Sequence, residues 1–246
     1  MQFQTMLPWL DALAMLSWGV LFLKYWLTGK LNRLIHPDYA WLAIVGGIGL
    51  LGFGGWRTWQ LLQNRRTTPA QAHITLLPPG WGSVLLLITA IVGLSTTPRT
   101  FSSQTAFQRG VMDTVALTRT QPQAFRATIR PEERNLIDWV RTVNTYPEPD
   151  AYTGQKVNVQ GFVIHPPELS EEYFLISRFV ITCCAADVYP IGLPVKLAQS
   201  RRVYPADSWL QVEGQMITET VGGKRQLTIQ AAKLTPIPEP KNPYEY

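Results

Sequence analysis

Apolar and polar positions divide this chain at about residue 97. Before that point apolar blocks alternate with short basic loops; after it, polar and apolar residues mix as in an ordinary globular domain. Residues 7–27, 39–59 and 79–97 form the three apolar blocks, each near the ~20 helical residues that cross a hydrocarbon core ~30 Å thick. The pattern predicts a membrane α-helical half over residues 1–97 with three transmembrane helices. Trp9, Trp18, Tyr25 and Trp26 supply interfacial anchors for the first, and Pro8 reads as a first-turn residue. Asp11 and Lys24 lie a turn or two from its ends, within reach of the interface. A cleaved secretory signal does not fit, because no Lys or Arg precedes the apolar run and Ala12-Leu13-Ala14 comes too early for a cleavage site. The third block is the weakest. Its core Val84-Leu85-Leu86-Leu87-Ile88 only just extends to spanning length, and an interfacial or re-entrant segment is the competing reading.

The second block contains Gly47-Ile48-Gly49-Leu50-Leu51-Gly52, a literal match to the dinucleotide fingerprint. That fingerprint works only between a strand and an amphipathic helix, so the match is chance. Gly46, Gly49, Gly52 and Gly55 recur at three-residue steps instead. Small residues so spaced leave a groove that another helix backbone can approach. Packing against the neighbouring spans and docking onto a partner membrane protein are both open readings.

Residues 98–149 read as a partly helical connector. A polar, Thr- and Gln-rich stretch leads to a better helix, with Pro131 in its first turn, Glu132 and Glu133 at its positive end, and Leu136, Ile137, Val140 and Val143 at helical spacing. Tyr146-Pro147-Glu148-Pro149 closes it as a linker. From residue 150 the period becomes two. Strands are predicted over 156–164, 173–183, 193–198, 209–217 and 227–234, with Gly222-Gly223 turning between the last two. Gly161 and Gly214 fall inside the first and fourth, where glycine marks a bulge or sharp bend. Five short, bent strands predict a mainly-β domain over 150–246, an OB-like small barrel, with its usual helix reduced to 199–208.

Charged residues make up 16% of the chain, against ~25% in average soluble domains. The deficit lies in the first half and excludes a purely soluble protein; the apolar content excludes intrinsic disorder for most of the chain. A net charge of +5 suits anionic lipid headgroups. Lys30 and Arg33 lie in the first loop, Arg57, Arg65 and Arg66 in the second, Arg99 and Arg109 after the third span. These counts nearly balance. Long domains translocate largely regardless of charge, which places the C-terminal domain outside the cytoplasm in a multi-pass protein of the cell membrane.

Candidate chemistry is sparse. The two cysteines, Cys183 and Cys184, are adjacent and cannot staple distant segments. Two readings stand: a small, dense hydrophobe, or soft-metal binding through thiolates. A closed zinc site wants four ligands, and this domain otherwise offers Asp187, His165 and Asp207. Redox chemistry lacks the favoured C-x-x-C spacing. His36 and His73 lie in loops on opposite sides of the second span. No nucleophile elbow, phosphate loop or H-E-x-x-H motif is present, so catalysis is not expected. A membrane-tethered barrel is not expected to meet nucleic acid either.

The run Arg178-x-x-Ile181-x-Cys183-Cys184-Ala185-Ala186-Asp187, followed by Pro190 and Gly192, resembles the YcgQ-like family of permease subunits. Gly161-Phe162-Val163, Trp209 with Val212 and Gly214, and Asn242-Pro243-Tyr244-Glu245-Tyr246 share the likeness. The resemblance implies a separate multi-spanning permease as partner and, for some relatives, a link to divalent metal such as zinc. Relatives also carry a His-rich loop between the second and third spans, where residues 60–79 hold only His73. Two expectations follow. One is a membrane-anchored accessory subunit of a permease, docked through its glycine-rich span; the other is a membrane-tethered metal- or redox-responsive sensor module without transport.

Overall fold

The computed structural model describes residues 2–63, 78–111 and 130–246. The chain divides into two compact units, Met1–Arg99 and Thr100–Tyr246. His73, Arg65 and Arg66 lie outside the described residues, as does most of the polar stretch of the expected connector.

The first unit holds α1 (Gln2–Leu27), α2 (Ala40–Leu62) and α3 (Trp81–Ser95). Two stretches, Met6–Leu27 and Pro37–Leu62, are long and apolar enough to cross a membrane. The third expected span is shorter than predicted. With 15 residues α3 rises only ~22 Å, because Gly80 at its left-handed N-cap and the extended Thr96 at its C-cap stop it at both ends. Pro8 stands inside α1 rather than in its first turn, since the helix begins at Gln2. Helix α1 packs against both α2 and α3. A Cβ on Gly47 would lie 3.1 Å from Phe22 Cβ and one on Gly54 3.0 Å from Leu16 Cγ, so glycines seven residues apart bring α2 onto α1. Tyr25 Oη donates to the Gly93 carbonyl at 2.6 Å and Lys24 Nζ to that of Leu94 at 2.7 Å. Those bonds satisfy carbonyls that the end of α3 leaves without helical partners.

The second unit contains α4 (Ser103–Gln108), α5 (Leu136–Thr145) and a six-stranded mixed sheet. Its strands are β1 (Lys156–Ile164), β2 (Tyr173–Val180), β3 (Tyr189–Lys196), β4 (Trp209–Val221), β5 (Lys224–Pro236) and β6 (Tyr244–Glu245). Their order is β1-β4-β5-β3-β2-β6, with a further pairing of β1 to β2. Helix α5 begins later than the periodicity predicts. Pro131–Glu133 form a separate 3-10 turn, and Asn135 caps α5 through a reciprocal box with Asp138. Its Leu136, Ile137, Trp139 and Val140 enter the same core as Val157, Val159 and Val163 of β1. Phe162 and Ile164, on the opposite face of β1, join a second cluster with Phe179, Ile181, Val188 and Tyr244.

Strand β3 starts four residues earlier than expected. Pro190 and Pro194 argue against a strand because each lacks an N–H. They are tolerated because β5 reaches β3 only at Val195 and Lys196, leaving both prolines with β2 alone. Sequence reading also misses β6, two residues long and preceded by Pro243. The glycine bends are realised. A Cβ on Gly161 would stand 2.5 Å from the Ser177 carbonyl oxygen, and one on Gly214 2.1 Å from that of Gln230. Gly214 also marks a register shift between β4 and β5.

A methyl group at position 161 therefore meets backbone, which cannot move aside as a side chain can. Gly161→Ala is expected to destabilise the second unit by ~1–3 kcal/mol, seen as faster amide hydrogen exchange through β1 and β2. Gly46→Ala, where nothing among the described residues lies within 4 Å, should leave exchange unchanged; equal protection in both variants would contradict the close-approach argument.

Candidate metal and thiol site

Arg178, Cys183, Cys184, Asp187, Pro190 and Gly192 all fall on one hairpin, formed by β2, a tight turn and β3. Arg178 acts at its base. Its guanidinium pairs with Glu245 at 2.9 Å, the side chains being 12% and 9% exposed, and donates to the carbonyls of Asn242 and Tyr244 at 2.9 and 3.1 Å. The Trp209 ring lies 5.6 Å from the guanidinium. Burial pushes the Glu245 carboxyl up against the opposing pull of Arg178. Stranding one partner of a buried pair costs ~3–5 kcal/mol, so this residue fastens β6 to β2. Gly192 lets β3 run close to β2, with its Cβ position 3.2 Å from the Ile176 carbonyl oxygen.

The turn itself is organised by Asp187. Oδ2 accepts from the Cys183 N–H at 2.8 Å and from the Thr182 hydroxyl, and Oδ1 accepts from the Cys184 N–H at 3.2 Å. The Asp187 N–H closes the loop onto the Cys184 carbonyl at 3.1 Å. Both thiols are free, Cys183 exposed and Cys184 partly so, with their sulfurs 3.6 Å apart. Burial would raise the Asp187 carboxyl, but the hydrogen bonds from Thr182, Cys183 and Cys184 outweigh it and hold the group below the usual aspartate value. Its stabilisation of the turn is therefore present above the ordinary carboxylate range and lost as pH falls through the lowered folded value. Interaction with this carboxylate and with the Cys184 sulfur raises the Cys183 thiol to about 11.

Thiol and carboxylate atoms of Cys183, Cys184 and Asp187 all lie within 4.8 Å of one another. His165, the fourth candidate ligand, is not part of this cluster: its Nε2 lies 2.9 Å from the Tyr204 carbonyl oxygen, and burial lowers its pKa. Asp207 holds the Ser103 N–H at 2.5 Å, and His36 caps a 3-10 turn by accepting from the Asp38 N–H. Two thiols beside a carboxylate already engaged in the turn fit an open metal site rather than a closed one. Two framing contacts escape sequence reading. Arg109 donates to the Val188 carbonyl beyond the turn, and the Ile181 N–H before it donates to the Glu245 carbonyl at 3.1 Å. Neither partner has a local signal, whereas Thr182 and Asp187 flanking the cysteines are a readable turn pattern.

On the second helix, the expected docking glycines Gly46, Gly49, Gly52 and Gly55 have no other element among the described residues within 4 Å of their Cβ positions. Packing inside the unit uses Gly47 and Gly54 instead. Residues 112–246, more than half of the chain, match the DUF1980 C-terminal domain. No curated protein matches the chain.

Removing the negative charge at position 187 should release the Cys183 thiol. Asp187→Asn is expected to speed alkylation of Cys183 at neutral pH by about tenfold or more, read as the pH dependence of the maleimide reaction. An unchanged rate profile would show that the carboxylate does not control the thiol.

Proposed function

We propose, for a chain that belongs to the DUF1980 C-terminal domain family, the role of a membrane-anchored accessory subunit of a multi-spanning permease. The observation that carries this reading is the open glycine stripe on α2. Glycines needed for packing within the unit are already used at 47 and 54, so the free set at 46, 49, 52 and 55 suits a helix supplied by another protein. Large apolar side chains exposed on the same helix, among them Val45, Ile48, Phe53 and Trp56, suit lipid or a partner helix. Helix α3 accompanies α1 from Asp11, which accepts from Ser83, to Lys24, which reaches Leu94. That parallel course supports a third span and a multi-pass chain in the cell membrane. In the second unit the pairings β1–β4–β5–β3–β2 return to β1, which supports an OB-like barrel, placed here outside the cytoplasm.

The expected result is co-purification with a multi-spanning permease from detergent-solubilised membranes. Gly49→Leu with Gly52→Leu should weaken it, while expression and membrane insertion remain. Undiminished co-purification of the double variant removes the docking face.

A second reading is favoured by the Cys183–Cys184–Asp187 cluster: a metal- or redox-responsive module that senses rather than transports. Zinc, or another divalent cation of the permease reading, would be held by the two thiolates in an open site with ligands completed from outside the turn. Zinc content of the purified full chain should then fall to background in the Cys183→Ser, Cys184→Ser double variant. Unchanged zinc in that variant eliminates this site.

A further inference from the structure

The two sulfurs of the β2–β3 turn are preset for a ligand that needs two sulfurs and no other protein donor. Cys183 is exposed and Cys184 partly exposed, so a small solute reaches both. Their separation of 3.6 Å is about 1 Å shorter than a linear two-thiolate ion needs, since that ion spans twice a metal–sulfur bond of ~2.3 Å. It is close to the ~3.8 Å edge of a tetrahedron built with such bonds. A tetrahedral ion, however, wants four donors. Both carboxylate oxygens of Asp187 are already engaged by Thr182, Cys183 and Cys184, and no histidine or further cysteine joins the cluster among the described residues. A three-coordinate trivalent centre has no such shortage. Its bond angles are nearer a right angle than the tetrahedral value, so its sulfur–sulfur edge is at least as short, and it keeps one hydroxyl of its own.

We infer that the Cys183–Cys184 turn binds a trivalent, sulfur-seeking oxide centre of the arsenous-acid class, bridged by both sulfurs. Binding is a condensation. Two sulfur–arsenic bonds form and two arsenic–oxygen bonds break; each thiol hydrogen leaves with a hydroxyl as water. Arsenic stays trivalent, no electrons move, and no net proton is taken up or released. A divalent cation, by contrast, must displace thiol protons, and its affinity climbs with pH. The inference shares its turn with the sensor reading but not its ligand class.

Arsenite is the probe, added to the reduced full-length protein in detergent, with bound arsenic measured after gel filtration and by intact mass. One arsenic per chain is expected, with a mass gain of one arsenic and one oxygen less one hydrogen. Cys183→Ser and Cys184→Ser should each weaken retention ~100-fold or more, because the second sulfur acts at high effective concentration. Affinity should stay level from one pH unit below neutrality to one unit above. Failure to retain arsenic, equal retention by either serine variant, or affinity rising steeply with pH would each overturn the inference. Zinc retained without arsenite removes this site chemistry and keeps the sensor reading; arsenite retained without zinc does the converse.

Discussion

Everything in the second unit depends on how closely backbone can approach backbone at Gly161. Strand β1 pairs with β4 through residues 156–162 and with β2 through residues 162–164. The exchange of partners happens where the absent Cβ leaves the Ser177 carbonyl room at 2.5 Å. A side chain there would force β2 away and open the circuit of pairings. Gly214 does the same work on β4, where the bulge against β5 lets a 13-residue strand bend instead of running flat. With both bends in place, opposite faces of β1 feed two separate apolar clusters, one roofed by α5 and the other by α4 and β6.

That second cluster explains why the cysteine turn is held so firmly at its base while its tip stays open. Ile181 and Val188, the residues flanking the turn, are both buried among Phe179, Ala106 and Tyr244. The β6 backbone grips one end and Arg109 the other, and Arg109 is itself seated over the Phe101 ring, 5.3 Å from its centroid. Asp187 then does locally what β6 and Arg109 do from afar, consuming backbone N–H groups that a tight turn leaves without ladder partners. Fixing the peptide in this way orders two sulfurs without burying them. The price is paid in donor capacity, since a carboxylate that braces the turn has little left for a ligand.

The legible parts of the fold were those encoded within a few residues of themselves. Alternation gave β1 to the residue, and Gly222-Gly223 located the β4–β5 turn. Apolar length disclosed α1 and α2, but it overstated α3, because Gly80 and the extended Thr96 act as stops that hydropathy does not weigh. Prolines hid the start of β3, for a strand's tolerance of proline depends on which neighbour lies alongside, and that is a property of the sheet. The pairing of Arg178 with Glu245 joins residues 67 positions apart, as the numbering gives; motif reading could mark the arginine but not its task. At the cysteine turn the local set of Cys183, Cys184 and Asp187 was readable, whereas His165 was grouped with it by residue type alone and is tied to Tyr204.

The glycines of α2 carry the same lesson into the first unit. A glycine-rich helix looks uniformly permissive in sequence, yet positions seven apart return to within about 20° of one another after two turns and so face the same neighbour. Gly47 and Gly54 satisfy that condition toward α1, where Phe22 and Leu16 fill the space a side chain would need. The three-residue series 46, 49, 52 and 55 drifts around the helix by about 60° at each step, since 3.6 residues complete a turn. It therefore describes a band winding away from α1 rather than a straight seam. A helix crossing α2 steeply would follow such a band more closely than one lying alongside it, because the three-residue row is inclined to the helix axis.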